Sequence, residues 1–529
     1  MVGAGSGALK VRRTILASLA AAAVSLPVCA HFADPPRAGA LRAAKGLDSP
    51  DGEPSPLSAR RAMQLGINLF GIDTGNRQQV FANMIAQSEW FEAGTGSWKA
   101  FPAAQLDPLG WIRYLEPGQT APRPLVLPPA PFRTVRVHCT FAGKGELGAG
   151  GVARVVSGGA RSLDLELAPT GAQGEGAWLT LMATDRADPL RDIDCRREGT
   201  SPAARFDPAF LAFASDFAVI RFMDWQHTNQ NPRSDWSART LPRSSSQVGA
   251  GGVSVEDMVD LAEAAGADPW FTMPYHADEA WVRAFARLVH DRLGPERCVY
   301  VELGNEVWND LFPAARDARA EGIAMGLGGG DPARAQMERY AQRMVAAMRV
   351  WSEVYADRPG ALVRVAATQN ANPALAAIVL GHGDSAEWVD ALATAPYFWL
   401  EVEGRKAADA DAILAELPAA IERTFAMARE NRRIAAAHGK RYIAYEGGQH
   451  LVTRDLALAR ALQRDPRMGD AYARYLAGWR ESFGDTLTLY ASTAPIAEYG
   501  SWGLREYGGQ PLAQAPKYRA VRHFLEEHK

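Results

Sequence analysis

The sequence predicts an α/β protein: a (β/α)8, or TIM, barrel carrying an all-β, sandwich-like domain inserted between barrel strands 1 and 2. Three observations lead there. From residue 206 onward, short apolar runs alternate with amphipathic stretches of helical period. An apolar run at 66–71 supplies one more strand far upstream. Between the two, residues 90–200 lose the helical period and carry short alternating runs broken by Gly and Pro.

Taken in chain order, residues 1–30 read as an export signal, with Lys10, Arg12 and Arg13 ahead of an apolar stretch that ends in the small residues Val28-Cys29-Ala30. Cleavage is expected near Ala30, which places the mature chain in the periplasm or outside the cell. The apolar stretch is short and holds Pro27, which argues against a stable membrane span. Arg12-Arg13 is a partial twin-arginine match, so the export route stays open. Loss of the signal removes three cations and no anions, taking the formal net charge from −3 to −6. No run of Lys and Arg remains that would track phosphates, so a nucleic-acid partner is not expected.

Residues 31–58 are rich in Pro, Gly and Ala and read as a flexible segment, and 59–89 is expected to hold strand 1 and a first helix. In the inserted region the runs at 134–139, 162–167 and 178–182 alternate strictly, as in a small antiparallel sandwich. Cys139 and Cys195 fall there and can pair in an oxidising compartment, whereas Cys298 opens a barrel strand and reads as a buried thiol. Within 201–529, strands are expected at 218–222, 269–273, 298–303, 363–368, 391–395, 441–445 and 486–490. Ser254 with Asp257, and Asp278 ahead of Trp281 and Phe285, mark helix starts. No Gly-rich dinucleotide turn follows any strand, which favours the closed barrel over an open doubly wound sheet.

In a barrel of this kind the chemistry sits at the C-terminal ends of the strands. Strand 4 runs out in Gly304-Asn305-Glu306-Val307-Trp308-Asn309 and strand 7 in Tyr445-Glu446-Gly447-Gly448. Two carboxylates at one mouth suit glycosidic cleavage, in which one acid protonates the departing oxygen and the other attacks the anomeric carbon or activates water. The Asn305-Glu306 pair on strand 4 together with Glu446 on strand 7 resembles the signature of glycoside hydrolase clan A, the retaining β-glycosidase barrels.

That resemblance implies Glu306 as acid/base, Glu446 as nucleophile and Asn305 as a ligand of the sugar 2-hydroxyl. It further implies Arg221 on strand 2 as the cation beside the nucleophile, His276 and Tyr397 as sugar- and nucleophile-contacting residues, and Trp502 as a platform under the reacting sugar. The strand-4 text is closest to arabinofuranosidase-like and glucuronidase-like members and departs from them in Val307-Trp308-Asn309, so no individual family is assigned. The implied partner is an oligo- or polysaccharide with β-linkages, and no cofactor is implied.

Aromatics are dense near the strand ends, with Trp225, Trp236, Trp270, Tyr275, Trp308, Phe398, Trp399 and Trp502 interleaved with Asn229, Gln369 and Asn370. Trp225, Trp308 and Trp399 are expected to join Trp502 in stacking on sugar faces; packing in the core is the competing reading for each. Glu302 reads as a buried structural acid. His227 and His450 lie near the expected mouth, but no histidine pair has metal-ligand spacing, so no metal is expected. Three alternatives remain at this stage: a non-catalytic carbohydrate-binding protein on a degenerate barrel, an inserted domain that is itself the main glycan binder, and a barrel lyase or isomerase.

Overall fold

The computed structural model describes residues 63–72, 74–93, 98–129, 131–172, 174–231 and 235–528. The export signal, with Cys29, and the segment 31–58 lie outside them. Eight strands close a parallel barrel in chain order: β1 (Leu65–Asn68), β2 (Val219–Arg221), β3 (Asp268–Met273), β4 (Val299–Leu303), β5 (Leu362–Ala367), β6 (Ala391–Thr394), β7 (Arg441–Ala444) and β8 (Leu487–Leu489). Closure brings Gly66 of β1 opposite Thr488 of β8. A Cβ at Gly66 would fall 2.6 Å from Thr488 Cγ2, so the last strand can seat against the first only with glycine there.

The period of two along each strand sorts side chains into two layers. Ile220, Phe271, Val301, Leu303, Leu392 and Leu489 point outward and pack beneath the helices. Val219, Trp270, Tyr300, Val363, Val365, Ala391, Ala393, Ile443 and Tyr445 point inward and form a separate core. Trp270 and Tyr300 stack there with centroids 5.1 Å apart, and the alanines of β5 and β6 leave the volume these rings occupy. The same inward parity carries Asn68, Arg221 and Glu302, all buried, toward one end of the interior.

Helices cover the outside. The one over Val255–Ala265 begins where Ser254 Oγ accepts from Asp257 N at 3.1 Å, and that over Glu279–Arg292 where Asp278 Oδ1 accepts from Trp281 N at 2.7 Å. The ring ends with the helix Pro516–Glu527. No helix among the described residues is long and apolar enough to cross a membrane.

Between β1 and β2 the described residues build a two-stranded antiparallel pairing of Phe91–Ala93 with Trp98–Ala100 and two larger antiparallel sheets. One orders its strands as Arg191–Arg197, Val135–Ala142, Ser162–Leu167 and Ala153–Gly158, and the other as Ala121–Leu125, Ala177–Thr184 and Gly145–Gly151. Val137, Leu163 and Leu165 of the first share a core with Leu147, Leu179 and Leu181 of the second. Cys139 and Cys195, directly opposed on neighbouring strands, form a disulfide within that core.

One expectation fails here. The described part of 59–89 contains no α-helix after β1, only 3-10 turns at Thr74–Asn76 and Met84–Gln87. A helix on the barrel surface needs a solvent face, but Gln78 to Ala82 and Met84 to Ser88 are all buried, and Phe81 bridges to Phe206. Buried Gln87 takes over part of the hydrogen bonding, accepting from Val80 N at 2.7 Å and donating to Gln78 O at 2.9 Å.

Candidate active site

β4 and β7 deliver their carboxylates by different local routes. After Leu303 the chain turns through Gly304 at φ 67°, and Glu306 itself adopts φ 45°. A left-handed glutamate is costly and is held only where its surroundings fix it. Here Asn309 Nδ2 donates to Glu306 Oε2 at 2.9 Å and the Tyr445 hydroxyl to Oε1 at 3.3 Å. Trp308 Nε1 in turn donates to the Tyr445 hydroxyl at 3.3 Å. Glu446 follows β7 almost directly and is nearly closed off, whereas Glu306 is partly open to solvent.

Glu446 is bound on both oxygens. Arg221 Nη1 donates to Oε1 at 2.8 Å and the Tyr397 hydroxyl to Oε2 at 2.9 Å. Arg221 also donates through Nε and Nη2 to Glu302 Oε2 at 3.2 and 3.0 Å, through Nη1 to Asn68 Oδ1 at 2.9 Å and through Nη2 to Asn305 Oδ1 at 2.9 Å. Its plane lies over the Tyr445 ring, 5.0 Å from the centroid. Against burial, which lowers it, the negative charges of Glu302 and Glu446 hold its pKa above the ordinary value, so the guanidinium is a permanent cation.

The two glutamates therefore differ electrostatically. Burial raises both carboxyls, but Glu446 is pulled back by the touching guanidinium and by the Tyr397 hydrogen bond. Among the described residues Glu306 has no cation in contact, and after burial the charge of Glu446 pushes it further up. A proton added to this pair settles on Glu306. Burial also pushes Glu302 up to about 7 against the pull of Arg221; Trp270 Nε1 donates to its Oε2 at 3.0 Å. Such an arrangement can hold one carboxylate ionised beside one carboxylic acid.

No family model and no curated protein matches the chain. Solved structures similar to it include the α-L-arabinofuranosidase from Thermotoga maritima in complex with arabinose, at 10% identity over 60% of this chain and 63% of that one, with a TM-score of 0.36. A family 51 α-L-arabinofuranosidase from Bifidobacterium longum is 12% identical over 60% of this chain and 66% of its own, TM-score 0.38. The β-glucosidase from Thermotoga maritima in complex with castanospermine is 10% identical over 60% of this chain and 84% of its own, TM-score 0.31. The chain thus spans just under two thirds of the length of the arabinofuranosidases it resembles.

Of the residues singled out in the sequence, Glu306, Glu446, Asn305, Arg221, Tyr397 and Trp308 lie in this one hydrogen-bonded network. Asn305 Nδ2 also donates to Asn229 Oδ1, at 3.3 Å. Trp502 is buried against Met223, Tyr490 and Ala491 beside Tyr397, and its Nε1 donates to His450 Nδ1 at 3.3 Å. Trp399 is half exposed on the short strand Tyr397–Trp399, opposite His450.

Three residues are placed elsewhere. Trp225 is a core residue and no sugar platform: Phe81, Phe210 and Phe222 surround its ring and its Nε1 donates to Phe70 O at 3.3 Å. Trp225→Ala is expected to cost about 3–5 kcal/mol in denaturant unfolding while leaving KM close to that of the parent. His276 is exposed and hydrogen-bonds Asp317 Oδ2 at 2.9 Å, apart from the network around the carboxylates. Trp236, likewise, packs against Trp281 and Phe285.

Besides Asn309, four residues around the carboxylates were not singled out as site residues. Asn68 contacts Arg221, Tyr445 contacts Glu306, Tyr490 donates to Asp224 Oδ2 at 3.2 Å, and Asp224 feels the charge of Glu446. Their inward parity and their position at strand ends are the signal available for Asn68 and Tyr445.

Proposed function

We propose that the chain is a retaining glycoside hydrolase of clan A that cleaves β-linked oligo- or polysaccharide by double displacement. One observation carries this reading: Glu446 is gripped by Arg221 and Tyr397 while Glu306, within reach of its charge, has no cation in contact among the described residues. Ionised Glu446 attacks the anomeric carbon as Glu306 passes its proton to the leaving oxygen. Once Glu446 is esterified its charge is gone, Glu306 becomes a stronger acid, and its carboxylate takes the proton from incoming water. The Tyr445 and Asn309 donors stabilise that carboxylate. The Cys139–Cys195 disulfide supports action outside the cytoplasm after export.

The pH–rate profile tests the assignment. Rate needs Glu446 ionised and Glu306 protonated, so it falls as pH drops through the pKa of Glu446 and again as pH rises through that of Glu306. Because Glu306 is raised, the basic limb is expected well above the usual carboxylate range. Glu306→Gln is expected to remove that limb and to slow alkyl glycosides by about 10²–10⁴-fold, with a much smaller loss for 4-nitrophenyl glycosides, whose leaving group needs no proton. An unchanged basic limb in this variant would reassign the acid.

A further inference from the structure

The strand that follows Glu446 brings a histidine to the site. Beyond Gly447 the chain forms the short strand Gly448–His450, parallel to Tyr397–Trp399, with Gly448 opposite Tyr397 and His450 opposite Trp399. Side chains alternate along such a pair. Phe398 and Gln449 are the fully buried ones, so Tyr397, Trp399 and His450 share the other face. The His450 ring is centred 5.5 Å from that of Tyr397, whose hydroxyl donates to Glu446 Oε2 at 2.9 Å, and 5.7 Å from that of Trp502. The imidazole thus stands one aromatic ring away from the nucleophile, and the residue is partly open to solvent.

A neighbour decides which ring nitrogen carries the hydrogen. An indole N–H can only donate, and Trp502 Nε1 lies 3.3 Å from His450 Nδ1, so Nδ1 is bare. The imidazole must then hold its hydrogen on Nε2. Burial, which pushes the His450 pKa down to about 4, favours the same neutral form. The indole is itself held in place: the carbonyl of Ser501, just ahead of Trp502, accepts from Gln449 Nε2 and from the buried Lys517 Nζ, each at 2.8 Å. The Nε2–H of His450 has no acceptor among the described residues.

We propose that His450 is a substrate-binding residue whose Nε2–H donates to a hydroxyl oxygen of the sugar held beside Glu446, and that Trp502 is the positioning residue that keeps this nitrogen a donor. This rests on the glycosidase reading above and adds a ligand of the sugar to that site. A hydroxyl accepts through its lone pairs while its own hydrogen stays available to another acceptor. Because the ring is uncharged, it can hold that hydroxyl near Glu446 without competing with Arg221 for the charge of the nucleophile.

The test compares the full chain with His450→Phe, which keeps a ring and removes the donor. Both are assayed on the best of 4-nitrophenyl β-glucoside, β-galactoside and β-xyloside, and on the monodeoxy analogues of that substrate. The variant is expected to lose about 10- to 100-fold in kcat/KM on the intact sugar. For at least one monodeoxy analogue, the one lacking the accepting hydroxyl, parent and variant should perform alike. A loss of equal size on every analogue marks a structural role and would overturn the assignment, as would no loss at all. Should the variant fail to fold, the parent carrying nitrogen-15 histidine decides: an imidazole protonated on Nε2 alone, whose N–H signal moves when the substrate sugar is added, is expected, and the absence of such a signal ends the proposal. Should the parent turn over no glycoside, the glycosidase reading fails, and calorimetry with glucose, galactose and xylose takes the place of the kinetics. Binding weakened about 10-fold by His450→Phe supports the contact. Unchanged affinity, or no binding of any of the three to the parent, ends it.

Discussion

Glu446→Gly is expected to lower kcat by about 10⁴–10⁶-fold, the scale on which loss of a nucleophile acts. Added azide is expected to restore part of the turnover and to yield the α-glycosyl azide, inverted relative to the β-linked substrate. The small anion enters the space vacated by the carboxylate and attacks the same face of the anomeric carbon. Glu306, no longer facing a negative charge, becomes a stronger acid in this variant, so the basic limb of the rescued reaction should move to lower pH. Full activity without azide would remove Glu446 from the mechanism. Tight glycan binding without turnover in the parent chain would instead favour a carbohydrate-binding protein on a degenerate barrel.

Arg221→Met is expected to have the second-largest effect, and on two observables at once. Arg221 and Glu302 are wholly buried and Glu446 nearly so. Removing the cation leaves two enclosed carboxyls uncompensated, a change that costs about 3–5 kcal/mol in folding stability. Loss of a touching guanidinium also weakens the ionisation of a carboxylate by about 10- to 1000-fold. With the pKa of Glu446 raised, the acid limb of the rate profile should shift upward and the rate at a fixed pH below it should fall by a comparable factor. Arg221→Lys restores charge but not the planar fork that reaches Glu302, Asn68, Glu446 and Asn305 together, so a partial recovery is expected. Unfolding curves and pH–rate profiles of the two variants separate the structural cost from the electrostatic one.

The barrel was legible because its strands are short apolar segments set between helices with clear starts, Ser254 and Asp278 among them. Glu306 and Glu446 stand out for the same reason, since an acid within three residues of a strand end is visible in the chain itself. Trp225 and Trp308 show where that visibility stops. Both are tryptophans just beyond a strand, yet one is packed by Phe81 and Phe210 and the other donates to Tyr445, 137 residues further along the chain.

The missing helix after β1 has the same cause. The nearly continuous burial of 78–88, including its bridge to Phe206, leaves no solvent face for one there. Asp224 and Tyr490 lie 266 residues apart and meet only because β8 closes onto β1 and β2 follows it in the ring. Contacts of that kind are set by closure of the barrel and leave no trace in local sequence.

The most direct measurement is to react the enzyme with a 2-deoxy-2-fluoro aryl glycoside of the preferred sugar and locate the attached sugar by mass spectrometry of the digested protein. A glycosyl ester on Glu446 is the expected result, accompanied by release of one equivalent of phenol. Attachment to another residue, or turnover that yields the inverted anomer without any ester, would contradict a double displacement on this pair of carboxylates.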